Sequence, residues 1–269
     1  MSLEFRVIEI ERRSPFRIAA MDHAVMEACK EGRSPPTLIY HNWEKSVSLA
    51  KGQAMSDLNL EECERQGFKV VRLPTGGKAV IHFPDTEFSY TLCVPNTGIN
   101  PREAYKKYCE RIGNALRSLG VSSVSVDNND IFVGEKKIGG NAQWVSGGWT
   151  LQHGLLLYEQ PDAQTMLSLM HLSLYHFSAE EELKALVTGF HVFSHASQQQ
   201  LRDVLTAHLL GGYKWKRGTL TEEEEAQAGD MERQYRNPHD PKATQTRGLC
   251  WLPAPIYRRE EMELEEATR

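Results

Sequence analysis

No stretch of the 269 residues approaches the roughly 18 consecutive apolar side chains that a membrane-spanning helix needs, so no bilayer crossing is expected. The opening residues MSLEFRVIEIERRS alternate apolar and charged and match neither a secretion signal nor an anchor. Cysteine is scarce: Cys29, Cys63, Cys93, Cys109 and Cys250 are odd in number, far apart and never in a C-x-x-C pair. This argues against a disulfide framework or a thiolate zinc site and suits a reducing compartment. No metal centre is expected. Charge of one sign is lacking as well: a net charge of −5 and a pI of about 6.1 leave no general footprint for nucleic acid or an anionic membrane. The phosphate loop G-x-x-x-x-G-K-[ST] is absent, and no internal repeat is visible. A cytoplasmic location is the expectation.

Hydrophobic residues make up 40% of the chain and charged residues 25%, a soluble balance over a length that can bury a core without staples. Strand patterns run over Phe5–Ile10, Thr37–Tyr40, Ser46–Ala50, Lys69–Leu73, Ala79–His82, Leu151–Tyr158 and, most strongly, Glu87–Val94. Ser14 and Pro15 open a helix that reaches about Lys30. Helical spacing also marks Leu58–Gln66, Pro101–Leu119, Ala163–Leu174, Ala179–Leu186 and Ser197–Leu210. Gly134-Glu135 reads as a hairpin turn between Asp130–Val133 and Lys136–Ile138, and Gly147-Gly148 as another turn. Thr221–Tyr235 reads as a solvated helix, Asn237–Pro241 as a loop, and the end REEMELEEATR as charged and exposed. Strands and helices interleave irregularly, which predicts an α/β or α+β fold with a mixed sheet and flanking helices rather than a strict βαβ array.

Two glycine-rich segments suit ligand chemistry. In R-L-P-T-G-G-K-A-V-I-H, Arg72 to His82, paired glycines let backbone N–H groups approach an anion, while Thr75, Arg72 and Lys78 add a hydroxyl and positive charge. The same glycines also fit a plain tight hairpin. In N-D-I-F-V-G-E-K-K-I-G-G-N-A-Q, Asn129 to Gln143, Lys137 is placed to stabilise negative charge on a carboxyl or phosphoryl oxygen. Lys136 and Lys137 equally fit two solvated hairpin lysines. His153, before Gly154 and an apolar run, reads as a hydrogen-bonded core or edge histidine on pattern alone.

Taken in order, Arg72–His82, Asn129–Ala142 and His153–Leu157 resemble the lipoate–protein ligase and octanoyltransferase family, whose motifs run R-R-x-[ST]-G-G-G-A-V-x-H, N-D-[IL]…G-x-K-[IV]-x-G-[NS]-A and x-H-G-x-L-L. Ala19–Ala28, Trp43 and Leu49–Gln53 resemble the family's first helix and its W…[IL]-G-x-x-Q segment, so the likeness covers roughly Phe5 to Asp230. It implies a mixed, largely antiparallel sheet flanked by helices, as in biotin/lipoate protein ligases, with a ligand tunnel floored by the two loops. It implies Lys137 as the catalytic lysine, and Arg72, Thr75, Gly76, Gly77, Lys78 and Ala79 bordering the acyl-adenylate or thioester. His82 and His153 would support the pocket, Asn129 and Asp130 would lie near the nucleotide, and the strand Glu87–Val94 would wall the tunnel. By the same resemblance Gly140, Asn141, Ala142 and Gly154, at matching motif positions, would belong to the same substrate- and nucleotide-binding surface. Residues 1–230 would form the catalytic domain and 231–269 a charged extension, short of a full accessory domain.

The resemblance implies one of two chemistries: ATP-dependent ligation of lipoate or octanoate with Mg2+, or transfer from an acyl thioester. Neither Val121–Asn129 nor Gly139–Gly154 holds a cysteine, where cysteine-dependent relatives carry their nucleophile, which favours the ligase. Against it, the family's second arginine is Leu73, its third glycine is Lys78, and P-T-G-G-K is closer to the transferase pattern P-T-G-G-R. Cys93 is either a hidden nucleophile or a buried hydrophobe. Ligation is the first expectation, transfer the alternative, and a non-catalytic acyl- or acceptor-binding relative the third. Expected partners are lipoyl-acceptor domains or glycine-cleavage H-like proteins, with a separate accessory subunit for a ligase. The biotin ligases' G-R-G-R-x-G-R loop is missing.

Overall fold

The computed structural model describes residues 3–171 and 180–238. The first half runs β1 (Glu4–Glu9), α1 (Pro15–Lys30), β2 (Thr37–His41), β3 (Ser46–Leu49), α2 (Leu60–Arg65), β4 (Lys69–Arg72), β5 (Val80–His82), β6 (Glu87–Pro95) and α3 (Pro101–Ser118). The second half runs β7 (Val124–Asp127), β8 (Asp130–Val133), β9 (Lys136–Ser146), β10 (Trp149–Leu157), α4 (Ala163–Ser168), α5 (Glu180–Leu186), α6 (Gln198–Leu210), β11 (Lys214–Arg217) and α7 (Glu222–Tyr235). Eight strands form one sheet in the order β11-β1-β2-β6-β10-β9-β8-β7, and β4-β3-β5 form a second, smaller one. In the large sheet only β11–β1 and β1–β2 are parallel, so the expected mixed, largely antiparallel sheet is present.

Period-two alternation assigns each face. On β6, Phe88, Tyr90, Leu92 and Val94 join Tyr108, Ile112 and Leu116 of α3 and Leu201, Leu205 and Leu209 of α6 in the largest core cluster. The opposite face carries Leu151, His153, Leu155 and Leu157 along β10, in register with Cys93, Thr91, Ser89 and Glu87 of β6. One end of that face is sealed by α1, whose Val25, Met26 and Cys29 pack on Ile39, Cys93 and Leu151. At its other end Leu155 and Leu157 pack under the small sheet's Val47, Leu49 and Ile81 and under Met166 of α4. The middle of the face, around His41, Thr91 and His153, is left between these two covers.

The helices start where side chains satisfy their free N–H groups. Ser14 caps α1 ahead of Pro15, and Asn100 with Glu103 closes a capping box on α3. Helix α7 is not the solvated helix its composition suggests. Glu224 is fully buried and forms a bidentate pair with Arg6 of β1 at 2.6 and 2.8 Å, while Ala228 packs on Ala20, Met21 and Ala24 of α1. The helix crosses residue 230 without a break. Two strands escape the sequence patterns: β7, within Val121–Asn129, and the polar edge strand β11. The expected helix Ala163–Leu174 is observed as α4 up to Ser168, and its end, from residue 172, lies outside the described residues. So do residue 179 of the next expected helix, the loop from residue 239, Cys250 and the charged end. Among the described residues no helix is long and apolar enough to cross a membrane.

Candidate active site

The uncovered middle of the sheet face opens into a cavity with about 560 Å³ of empty space, part of it continuous with solvent. Leu49, Ala50, Leu73, Val80 and Leu155 supply an apolar slot, and the loop Thr75–Lys78 crosses one side of it. Gly77 takes φ +96°, a conformation that side chains resist, while Gly76 has an ordinary φ and open space where a Cβ would point. Thr75 is buried, and its Oγ1 lies 2.9 Å from His153 Nε2, joining the first glycine-rich motif to β10. Burial pushes His153 down from 6.5 to about 4; Asp22 opposes this, and His41 and His82 reinforce it. His153 is therefore a neutral imidazole near pH 7.

His82 is held at both ring nitrogens, Nδ1 by Glu87 Oε1 at 2.7 Å and Nε2 by Ser48 Oγ at 2.9 Å, and it stacks on Trp43 at 4.1 Å. A third histidine, which the motifs did not mark, faces the same space. His41 ends β2, and its Nε2 lies 3.0 Å from Asp22 Oδ1 of α1 and 3.1 Å from Thr91 Oγ1 of β6. The signal that could have found this trio is alternation: Ile39 and His41, and Thr91 and Cys93, are steps along the sheet face that α1 covers.

Of the expected site residues, Thr75, Gly76, Gly77, Lys78, His82, Gly140, Asn141, Ala142, His153 and Gly154 line the cavity. Arg72, Ala79, Asn129, Asp130 and Lys137 do not. Arg72 clamps backbone instead: Nη1 donates to the carbonyls of Ala50 and Gln53 at 2.9 and 2.6 Å, and Nε to that of Pro238 at 2.8 Å. Ala79 is part of the core under the small sheet. Lys137 is not a solvated hairpin lysine. It is 1% exposed, its Nζ lies 2.7 Å from Asp130 Oδ1, and Thr188 N–H bonds to its carbonyl. Burial raises the pKa of Asp130, against the pull of Lys137 and Lys78.

The second glycine-rich segment is a strand rather than a loop. β9 runs unbroken through Gly139-Gly140, with a register shift against β8 between Ile131 and Phe132. Gly139 permits this: a Cβ there would meet Leu156 Cδ2 at 2.6 Å and the Leu155 carbonyl at 2.7 Å. Asn129 is tied to the same strand, since its Nδ2 donates to the Asn141 carbonyl at 2.7 Å and its carbonyl accepts from Asn141 N at 2.9 Å. Asn141 Oδ1 accepts from the Tyr90 hydroxyl at 2.5 Å, and that hydroxyl accepts from Gln152 Nε2 at 2.9 Å. Gly154 lies between them, where a Cβ would meet Asn141 Oδ1 at 2.2 Å and Tyr90 Cε1 at 2.6 Å. Cys93 is fully buried among Val25, Ile39 and Leu151, and burial raises its thiol far above the usual range. None of the four cysteines among the described residues lines the cavity.

Similarity to known proteins agrees with this geometry. An octanoyltransferase LipM of Brevibacillus brevis is 29% identical over 216 residues, 70% of this chain and 75% of that protein. One of Lysinibacillus sphaericus is 31% identical over 198 residues, 62% and 68% of the two chains. The fold matches a lipoate-protein ligase A bound with ATP, TM-score 0.74 at 22% identity over 86% of this chain and 94% of that one. It also matches the bi-partite lipoate protein ligase of Thermoplasma acidophilum, TM-score 0.75 at 22% identity over 86% and 92%. Residues 14–185 match the lipoyl protein ligase A/B catalytic domain, so the resemblance read from Arg72–His82, Asn129–Ala142 and His153–Leu157 holds and the chain is an enzyme of the lipoate ligase and octanoyltransferase family.

Proposed function

We propose that the chain transfers an octanoyl or lipoyl group from a thioester donor to a lysine of a lipoyl-acceptor protein. The single observation that carries this reading is the cavity, apolar along Leu49, Val80 and Leu155 and polar where Thr75 meets His153, with Gly76 and Gly77 also lining it. A slim acyl chain fits the slot, and its carbonyl would sit at the polar end. The 29% and 31% identities to octanoyltransferases support the thioester donor. The acceptor amine would attack the acyl carbon, and the donor thiolate would leave. Negative charge gathering on the carbonyl oxygen would meet preorganised N–H donors and the cation of Lys78, with Lys137 and Asp130 holding β8 and β9 beneath them. Acceptor domains or glycine-cleavage H-like proteins would be the partners.

One observation favours the ligase reading. With no cysteine among the described residues lining the cavity, a thiol acyl-enzyme has no candidate there, and activation by Mg-ATP needs none. The two readings separate on pyrophosphate. Purified protein given octanoate and Mg-ATP should release none if it is a thioester transferase; pyrophosphate formed in step with acceptor modification would make it a ligase.

A further inference from the structure

We propose that His41, oriented by Asp22 and Thr91, takes the proton from the acceptor lysine as its nitrogen attacks the acyl carbon. The inference rests on the acyl-transfer reading above. An acceptor lysine arrives as an ammonium, which has no lone pair. A site that acylates it must hold a base near the acyl carbonyl, in a state able to accept a proton.

The titratable side chains lining the cavity are His41, Lys78, His82, Tyr90 and His153. Lys78 is a cation and cannot accept. The Tyr90 hydroxyl is buried, donates to Asn141 Oδ1 and is pushed well above its ordinary pKa. His82 has both nitrogens engaged, by Glu87 and Ser48. His153 is bound to Thr75 through Nε2, and burial makes it a weak acceptor.

His41 differs from all of these. Thr91 spends its proton on Asp22 Oδ2 at 2.7 Å, so its Oγ1 accepts from His41, and Asp22 is acceptor-only when ionised. Thr91 Oγ1 therefore requires hydrogen on Nε2, and the Asp22 carboxylate 3.0 Å away favours it there, which leaves Nδ1 as a bare acceptor. Nδ1 is buried and has no hydrogen-bond partner. The ring is 1% exposed, and the Asp22 side chain behind it 9%. A buried ring nitrogen left unsatisfied at a cavity wall asks for a use. An imidazolium formed there would keep its charge opposite the Asp22 carboxylate. One ammonium proton passes to Nδ1, and the freed amine adds to the acyl carbon; as the carbon–sulfur bond to the donor breaks, the nitrogen gives up its second proton to water and the amide forms. The imidazolium then returns the proton to the departing thiolate.

The test compares two nucleophiles in single-turnover transfer from an octanoyl thioester: the acceptor domain's lysine, and hydroxylamine, which is already unprotonated at neutral pH. His41→Gln should slow transfer to lysine by about a hundredfold or more, the usual share of a general base, and leave transfer to hydroxylamine near wild type. Asp22→Asn should show the same selectivity with a smaller loss, and it carries the comparison alone if His41→Gln does not fold. Equal losses on both nucleophiles would reduce His41 to a structural residue and overturn the inference, as would undiminished transfer to lysine. Wild-type protein that acylates neither nucleophile would instead overturn the acyl-transfer reading itself, and His41's role with it.

Discussion

Lys137 illustrates what spacing conveys about a residue and what it leaves out. Its place before Gly139-Gly140 marks it as the family lysine, but not that Val187 and Thr188 would cover it or that Asp130 would pair with it. Where the pattern also fitted a solvated hairpin lysine, it is a buried ion-pair partner. Lys137→Ala should therefore abolish transfer and also cost about 3 kcal/mol by stranding a partly buried carboxylate, read as a lower thermal midpoint beside the activity assay. The Thr75–His153 contact was equally hidden, because 78 residues separate two side chains that only the meeting of loop and sheet brings together. His153 makes a pH prediction. Its folded pKa of about 4 lies below the ordinary 6.5, so between those values the unfolded chain binds more protons. Stability should be full above pH 6.5 and fall as pH drops towards 4. In His153→Gln, urea midpoints across this window should lose that part of the slope; an unchanged slope would contradict a buried, neutral His153.

At the scale of elements, strong patterns were legible and weak ones were not. The alternation of Glu87–Val94, the helix expected over Pro101–Leu119 and the turn at Gly134-Glu135 all appear where the sequence puts them. Gly139-Gly140 looked like a loop because paired glycines usually break strands, yet here they let β9 pass close under Leu155 and Leu156. Strand β11, K-W-K-R, is exposed along its length and exists through pairing with β1, which no local pattern encodes. The glycines can be ranked by what surrounds them. Gly154→Ala should cost about 1–3 kcal/mol by overpacking against Asn141 and Tyr90, and reduce transfer by disturbing the cavity wall. Gly76→Ala should be nearly neutral in stability, with open space and no positive φ. Chemical denaturation of the two variants checks the order; equal losses would contradict the described packing of β10.

In the whole molecule, the cavity exists because one sheet face is covered at both ends and not in the middle. Helix α1 forms one cover, and α7 straps it down through Ala228, while Glu224 of α7 fixes Arg6 of β1 and accepts from Ser34 Oγ at 2.7 Å. Its run of four glutamates suggested solvent, and only tertiary pairing shows that one of them is an internal anchor. Glu224→Ala should cost about 3–5 kcal/mol, the price of leaving a buried arginine unpaired, seen as a fall in denaturation midpoint. The fold class and most cavity-lining residues were thus readable from three motifs, whereas the strap, the buried lysine and the His41 trio depend on distant contacts. The central claim is that this cavity holds an acyl thioester for attack by a protein lysine. Its most direct test is the intact mass of a lipoyl-acceptor domain after incubation with catalytic amounts of the chain and an octanoyl thioester, without nucleotide. The account predicts the gain of one octanoyl group at one lysine; an unmodified acceptor under those conditions would contradict it.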